Sequence, residues 1–168
     1  MNAVLQPAAP PRISALTLAD LDAVLAVEAL AYPFPWSRGN FIDSLAAGHR
    51  GWVLRDPATT ELLGYCVAMN GVQEMHVLNL TVAPRHQGCG HARRLLARLC
   101  TAGRDAGAHW LWLEVRRSNL HAQAVYRHWQ FDSIGERRGY YPAAQGQRED
   151  ALVMRLPLGA AGDGDALD

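Results

Sequence analysis

Two glycines, Gly88 and Gly90, lie where a strand pattern ends and an arginine-rich helix pattern begins, in the stretch VAPRHQGCGHARRLL from Val82 to Leu96. Small residues let backbone N–H groups approach an anion closely, and the helix N-terminus behind them favours negative charge. Arg85, Arg93, Arg94, Arg98 and Arg104 occur between residues 85 and 104 with no acid among them, a local charge of +5 in a chain whose sixteen basic and sixteen acidic side chains cancel. A polyphosphate ligand selects such a pattern; a glycine turn feeding a solvated basic helix is the alternative. The G-x-G-x-x-G spacing of a dinucleotide fold is missing.

Two further residues could carry proton chemistry. Glu114 interrupts the apolar strand pattern WLWLEV, where a carboxylate is unwelcome unless paired, hydrated or used. An ion pair with Arg116 or Arg117 would equally account for it. Tyr126 follows Asn119 by seven residues, which at roughly 100° per residue brings both to within about 20° of one helix face. A buried, hydrogen-bonded tyrosine is the commoner reason for such a residue. Cys89 near a helix start, flanked by His86 and His91, could form an acyl-enzyme, but the same turn is better employed holding phosphates. His121 and His128 share a helix face without a chelating spacing, so no metal site is expected.

Composition removes other chemistries. All sixteen basic residues are arginine, which excludes a lysine Schiff base and the Gly-Lys-Ser/Thr phosphate loop. Zero net charge provides no global field for nucleic acid. Cys66, Cys89 and Cys100 are odd in number and lack Cys-x-x-Cys spacing, so neither a disulfide framework nor a zinc site is indicated and a cytoplasmic setting is expected. No signal peptide or membrane helix is expected.

These residues need a scaffold. The 168 residues, 49% of them hydrophobic, predict a single domain over residues 12–158, between a Pro/Ala-rich segment 1–11 and a Gly/Ala/Asp tail 159–168, both expected to be flexible. Thr17 to Asp20 resembles a capping box ahead of a helix bearing Leu21, Val24, Leu25 and Ala29, which Tyr32 to Pro35 stops. Ser37 caps a second helix with Phe41, Ile42 and Leu45, and Gly48 ends it. GWVLR, ELLGYCVAM and EMHVLNLTV read as strands joined by short turns, favouring antiparallel hairpins. An amphipathic helix follows with Leu95, Leu96, Leu99 and Cys100 inward, then the strand HWLWLEV. Asn119 caps another helix to about Trp129, and FDSIGERR and DALVMRL close the order as strands. The fold class is α/β, a mixed sheet covered by helices.

The run Gln87-x-x-Gly90-x-Ala92, preceded by Val-Ala-Pro and followed by a leucine-rich helix, resembles the Q/R-x-x-G-x-G/A acyl-coenzyme A motif of the GNAT superfamily of N-acetyltransferases. FPWS (Phe34 to Ser37), LWLEVRRSN (Leu111 to Asn119), AVYRHWQF (Ala124 to Phe131), YYP (Tyr140 to Pro142) and REDALVM (Arg148 to Met154) narrow it to the ribosomal-protein alanine N-acetyltransferases. Gly88, Ala92 and Gln130 depart from the common pattern. The resemblance implies a mostly antiparallel sheet with about four helices, and acetyl-CoA as cosubstrate. It places the pyrophosphate on the backbone of Gln87, Gly88, Cys89, Gly90, His91, Ala92 and Arg93, and the pantetheine arm on Leu80, Thr81 and Val82, with Asn119 also touching the coenzyme. Glu114 matches the general base and Tyr126 the general acid. The implied partner is the N-terminus of a ribosomal protein beginning with Ala, with no direct nucleic acid, no membrane and a monomeric enzyme; Phe34, Trp36, Tyr140 and Tyr141 would surround the acceptor. Acetylation of a small amine or a lysine, and a non-catalytic acyl-coenzyme A module, remain as alternatives.

A bulky β-branched residue at Gly90 obstructs this approach. Calorimetric titration of Gly90→Val with coenzyme A should show weakened binding by a folded protein; unchanged affinity removes the turn as the phosphate site.

Overall fold

The change of hydrophobic period after Gly48 marks where two helices give way to a sheet. In the computed structural model, which describes residues 9–159, β1 (Arg12–Ala15) precedes a 3-10 turn, α1 (Leu21–Ala31) and α2 (Arg38–Ala46). Three antiparallel strands follow, β2 (Arg50–Arg55), β3 (Leu62–Asn70) and β4 (Glu74–Val82). Then come α3 (His91–Asp105), β5 (Trp110–Arg116), α4 (Leu120–His128), β6 (Asp132–Pro142) and β7 (Arg148–Pro157). The expected flexible ends fall almost wholly outside the described residues.

All seven strands join one sheet in the order β1-β2-β3-β4-β5-β7-β6. Only β4 and β5 pair in parallel, as a strand, helix, strand connection through α3 requires. Their pairing is short: it runs from Glu74 opposite Trp110 to Val77 opposite Leu113. Beyond it β4 stays on β3 and β5 stays on β7, so each diverging strand remains held on its outer edge. The β3–β4 register shifts between Val67 and Ala68, which face Asn79 and Val77 respectively. Leu78 is therefore the extra residue of a bulge, a feature that bends a strand and re-aims the side chains after it.

Both faces of the sheet are covered. Leu95, Leu96 and Leu99 of α3 are fully buried against Trp52, Cys66, Met75, Leu111 and Met154, each leucine contributing about 1.5–3 kcal/mol. On the other face Leu21, Val24 and Phe41 pack with Val53, Tyr65 and Val67. The helix ends follow the anticipated chemistry: Thr17 and Asp20 form the reciprocal box before α1, Ser37 accepts the Asn40 N–H at 3.2 Å, and Asn119 accepts the Ala122 N–H at 3.1 Å. The inward stripe of α1 differs from the expected one, because Ala29 is exposed and Glu28 is buried.

Burial raises the Cys66 thiol to about 12, the largest cause being loss of solvation, which keeps it an inert core group. Among the described residues, no helix is long and apolar enough to cross a membrane.

After α4, Gln130 adopts φ +67°, the left-handed conformation that glycine occupies without penalty. The strain there is about 1–2 kcal/mol for a residue with a Cβ. Gln130→Gly should raise unfolding stability by about 0.5–1 kcal/mol after the entropy that glycine gains on unfolding is deducted, visible as a higher urea midpoint with an unchanged slope. A lower midpoint would show that the Gln130 side chain outweighs the strain.

Candidate active site

Where β4 and β5 diverge, the molecule opens into two connected clefts. One, of about 440 Å³, runs from Leu80, Thr81 and Val82 along the glycine turn and the first turn of α3 to the face of α4. The other, of about 430 Å³, lies between the α1–α2 loop, the separated ends of β4 and β5, and Tyr141. Tyr32, Leu80, Asn119, Ala122 and Tyr126 line both and form the waist between them.

The sequence-selected residues distribute between these spaces. Leu80, Thr81, Val82, Gln87, Gly88, Gly90, His91, Ala92, Arg93 and Asn119 line the first cleft. Cys89 does not; it is exposed, and its thiol donates weakly to the Gln87 carbonyl at 3.7 Å. His86 is also engaged elsewhere, with Glu61 at 2.7 Å, so the acyl-enzyme grouping is not assembled. Gly88 and Gly90 take φ +76° and +80°, and a Cβ at either would meet no protein atom within 4 Å. Their requirement is therefore conformational, and the space beside the turn is left to a ligand.

The expectation that all five arginines serve this turn needs correction. Arg93 lines the cleft, whereas Arg85 pairs with Glu61 and Arg98 lies 5.3 Å from the centre of the Trp52 ring. Along α3, Arg94 leaves the helix about 100° and Arg98 about 140° away from Arg93, while Arg104 shares its direction but lies about 16 Å further along the axis.

Glu114 lines the second cleft with its carboxylate 4% exposed. The ion pairs considered with Arg116 and Arg117 do not form: Arg116 pairs with Glu149 at 3.1 Å and Arg117 with Glu136 at 2.7 Å. Instead, Oε2 is hydrogen-bonded to His76 Nε2. Arg137 Nε stands 3.0 Å from Oε1, yet Oε1 accepts no aligned hydrogen bond. One carboxylate oxygen is thus anchored and the other is left with an unused lone pair. The Tyr141 hydroxyl donates to the Glu114 backbone carbonyl at 3.0 Å, tying the β6–β7 end to the site.

Tyr126 reaches the waist from α4, on the same face as Asn119. Its ring packs on Phe131 and Trp129. Among the described residues the hydroxyl has no hydrogen-bond partner, contrary to the ordinary expectation for a helical tyrosine. Loss of solvation raises its pKa, with the neighbouring Tyr32 adding to the effect. The phenol therefore stays protonated well above neutral pH.

A group that periodicity alone passed over ties together one wall of the second cleft. Glu28, 1% exposed, accepts from the Trp36 N–H at 2.9 Å, from the Asn79 amide at 3.3 Å and from the Tyr65 hydroxyl. Asn79 in turn accepts from Thr81 at 2.7 Å, and Thr81 accepts from Tyr32 at 2.8 Å. Donors thus run in one direction from the waist to the buried carboxylate. Its position, seven residues after Leu21 and four after Val24 on the apolar face of α1, is the signal that could have found it. Phe34, Trp36 and Tyr141 line the second cleft, while Tyr140 packs edge-on against Tyr141 outside it. Among the described residues, no cluster of three or more His, Cys, Asp or Glu side chains could hold a metal ion.

A sequence profile of the acetyltransferase (GNAT) family matches residues 21–131. Over 146 residues the chain is 37% identical to the [ribosomal protein bS18]-alanine N-acetyltransferase of Salmonella typhimurium, covering 87% of this chain and 97% of the relative. The protein of the same name from Haemophilus influenzae is 32% identical over 146 residues, covering 87% and 98%. Among solved structures, the ribosomal-protein-S18-alanine N-acetyltransferase from Escherichia coli superimposes with a TM-score of 0.80 at 34% identity, over 92% of this chain and 98% of that one.

Removing the Glu28 carboxylate leaves the Trp36 N–H and the Tyr65 hydroxyl buried without an acceptor, at about 1–3 kcal/mol for each group. Glu28→Ala should lose about 3 kcal/mol of stability in urea unfolding. A loss under 1 kcal/mol would mean that water replaces the carboxylate.

Proposed function

Since the chain belongs to the GNAT acetyltransferase family, we propose that it moves an acetyl group from acetyl-CoA to the α-amino group of a ribosomal protein that begins with Ala, the acceptor being the counterpart of the bS18 named for its relatives. The observation that carries the assignment is the pair of clefts meeting at Tyr126: one has a glycine turn for phosphates, the other is lined by Glu114, one of whose oxygens accepts no aligned hydrogen bond. An acyl carrier threaded through the first brings its thioester to the waist, and an extended N-terminus fits the second. Both substrates are served within one chain.

The residues divide the work. Backbone N–H groups of Gln87 to Arg93 hold the pyrophosphate, Leu80 to Val82 line the pantetheine arm, and Asn119 closes the waist. Glu114 Oε1 takes a proton from the α-ammonium, which frees the nitrogen lone pair. The amine then forms the new C–N bond at the thioester carbon, while N–H groups of β4 beyond its pairing with β5 face the developing oxyanion. Collapse breaks the C–S bond, Tyr126 supplies its proton to the departing thiolate, and the second nitrogen proton is lost to solvent as the amide forms. Tyr126 is reprotonated from solvent and Glu114 gives up its captured proton to solvent, so each turnover releases one proton overall.

An α-amine suits this site better than a lysine. Their reference pKa values of about 7.7–8.0 and 10.4 make the neutral lysine about 3.3–3.7 kcal/mol more expensive at neutral pH. The acceptor cleft offers Phe34, Trp36 and Tyr141 around the first side chain, surroundings that accept Ala.

Glu114→Gln and Tyr126→Phe should each lower turnover by about 10²-fold or more with coenzyme affinity nearly preserved. The Ala-starting peptide should gain its acetyl on the α-amine, as located by mass spectrometry. Its rate should rise with pH up to about 8 as the ammonium deprotonates. Because the Tyr126 pKa is raised, its acid form persists, and no alkaline fall from this phenol should occur below pH 10. Equal modification of an amine-blocked, lysine-containing peptide would transfer the assignment to lysine.

A further inference from the structure

His76 is hydrogen-bonded through Nε2 to Glu114 Oε2, and both side chains are nearly sealed from solvent, 8% and 4% exposed. The imidazole is itself constrained. His76 stands opposite Trp112 in the short parallel pairing of β4 with β5, and its ring lies flat on the indole, 3.9 Å between centres at an interplanar angle of 6°. The stack fixes the plane in which Nε2 can donate, and the hydrogen bond transfers that constraint to the carboxylate. A glutamate end group otherwise rotates broadly about its last torsion. With Oε2 held by His76, the remaining oxygen is the one that lacks an aligned donor, since Arg137 lies beside it without pointing an N–H at it.

We propose that His76 is a positioning residue of the transfer reaction: it anchors one oxygen of Glu114 and so holds the carboxylate in a fixed orientation at the second cleft. The inference rests on the reading of Glu114 as the base. The strand register supports the assignment, because the anchor comes from the paired part of β4, one residue before the last pair with β5. A reacting group misplaced by about 1 Å loses up to 10²-fold in rate even when binding is intact. Loss of the anchor should therefore appear in kcat, leaving KM for acetyl-CoA unchanged.

Three substitutions separate the donor from the ring. His76→Phe keeps an aromatic ring against Trp112 and removes the N–H; His76→Gln removes the ring and keeps a side-chain N–H donor; His76→Leu replaces the Phe protein should that one fail to fold. Thermal melting establishes that each is folded. The expected result is a kcat lowered about tenfold or more in His76→Phe, a KM for acetyl-CoA within twofold of the parent, and recovery in His76→Gln to within about threefold of the parent. Adding His76→Phe to Glu114→Gln should lower the rate no further, as two residues acting through one step are not additive. A folded His76→Phe protein with parental kcat, beside an impaired Glu114→Gln, overturns the role of His76 and leaves that of Glu114 standing. Failure of His76→Gln to exceed His76→Phe also overturns it, since the loss would then follow the ring. Parental turnover in Glu114→Gln overturns the reading of the base itself and the anchor with it.

Discussion

The structure depends on a sheet that comes apart in its middle without losing its hydrogen bonds elsewhere. Val77 and Leu113 are the last paired residues of β4 and β5, and past them two inner edges face a cavity in place of each other. Buried backbone groups without partners are costly, so such an opening persists only where something else satisfies them. The antiparallel partners on either side supply the rigidity: β3 carries β4 to Val82, and β7 carries β5 to Arg116. The bulge at Leu78 accommodates the bend. Asn79 and Thr81 then point toward α1, while Leu80 packs with the core on the α3 side.

Polar groups placed in this opening are held by unlike means. Glu28 is surrounded by neutral donors and fixes the α1–α2 loop through Trp36. Glu114 has a ring on one oxygen and a guanidinium near the other. The first carboxylate has its oxygens occupied, and the second retains acceptor capacity. That difference separates a carboxylate whose hydrogen bonds are spent within the fold from the one that the proposed mechanism uses as its base. The same logic applies to the tyrosines: Tyr65 and Tyr32 spend their hydroxyls on the Glu28 network, while Tyr126 keeps its own uncommitted.

Much of this architecture was legible in the sequence. The hairpins of β2, β3 and β4 followed from alternation and short turns, and α3 from the spacing of Leu95, Leu96 and Leu99. The glycine turn followed from residues whose backbone angles permit little else. Glu114 stood out as an acid in an apolar strand. Its partners did not, because Arg116 and Arg117 are near it in sequence whereas His76 and Arg137 reach it only through strand register. Register also hid the divergence at Val77, which no local pattern encodes. The five arginines of residues 85–104 were overread together: a count of charge along the chain ignores the direction in which each side chain leaves a helix. Gln130 could be marked as unusual before Phe131, but its left-handed backbone required coordinates.

The waist of Tyr32, Leu80, Asn119, Ala122 and Tyr126 divides the molecule into two halves that can change separately. At its turn end the first cleft depends on the backbone conformation of Gly88 and Gly90, which tolerates little variation. The second cleft is walled by side chains from the α1–α2 loop and the β6–β7 end, segments that do not form the turn. Under the proposed assignment, an exchange of acceptor requires rewriting only one wall of a cleft, while the turn that would hold the coenzyme is inherited whole.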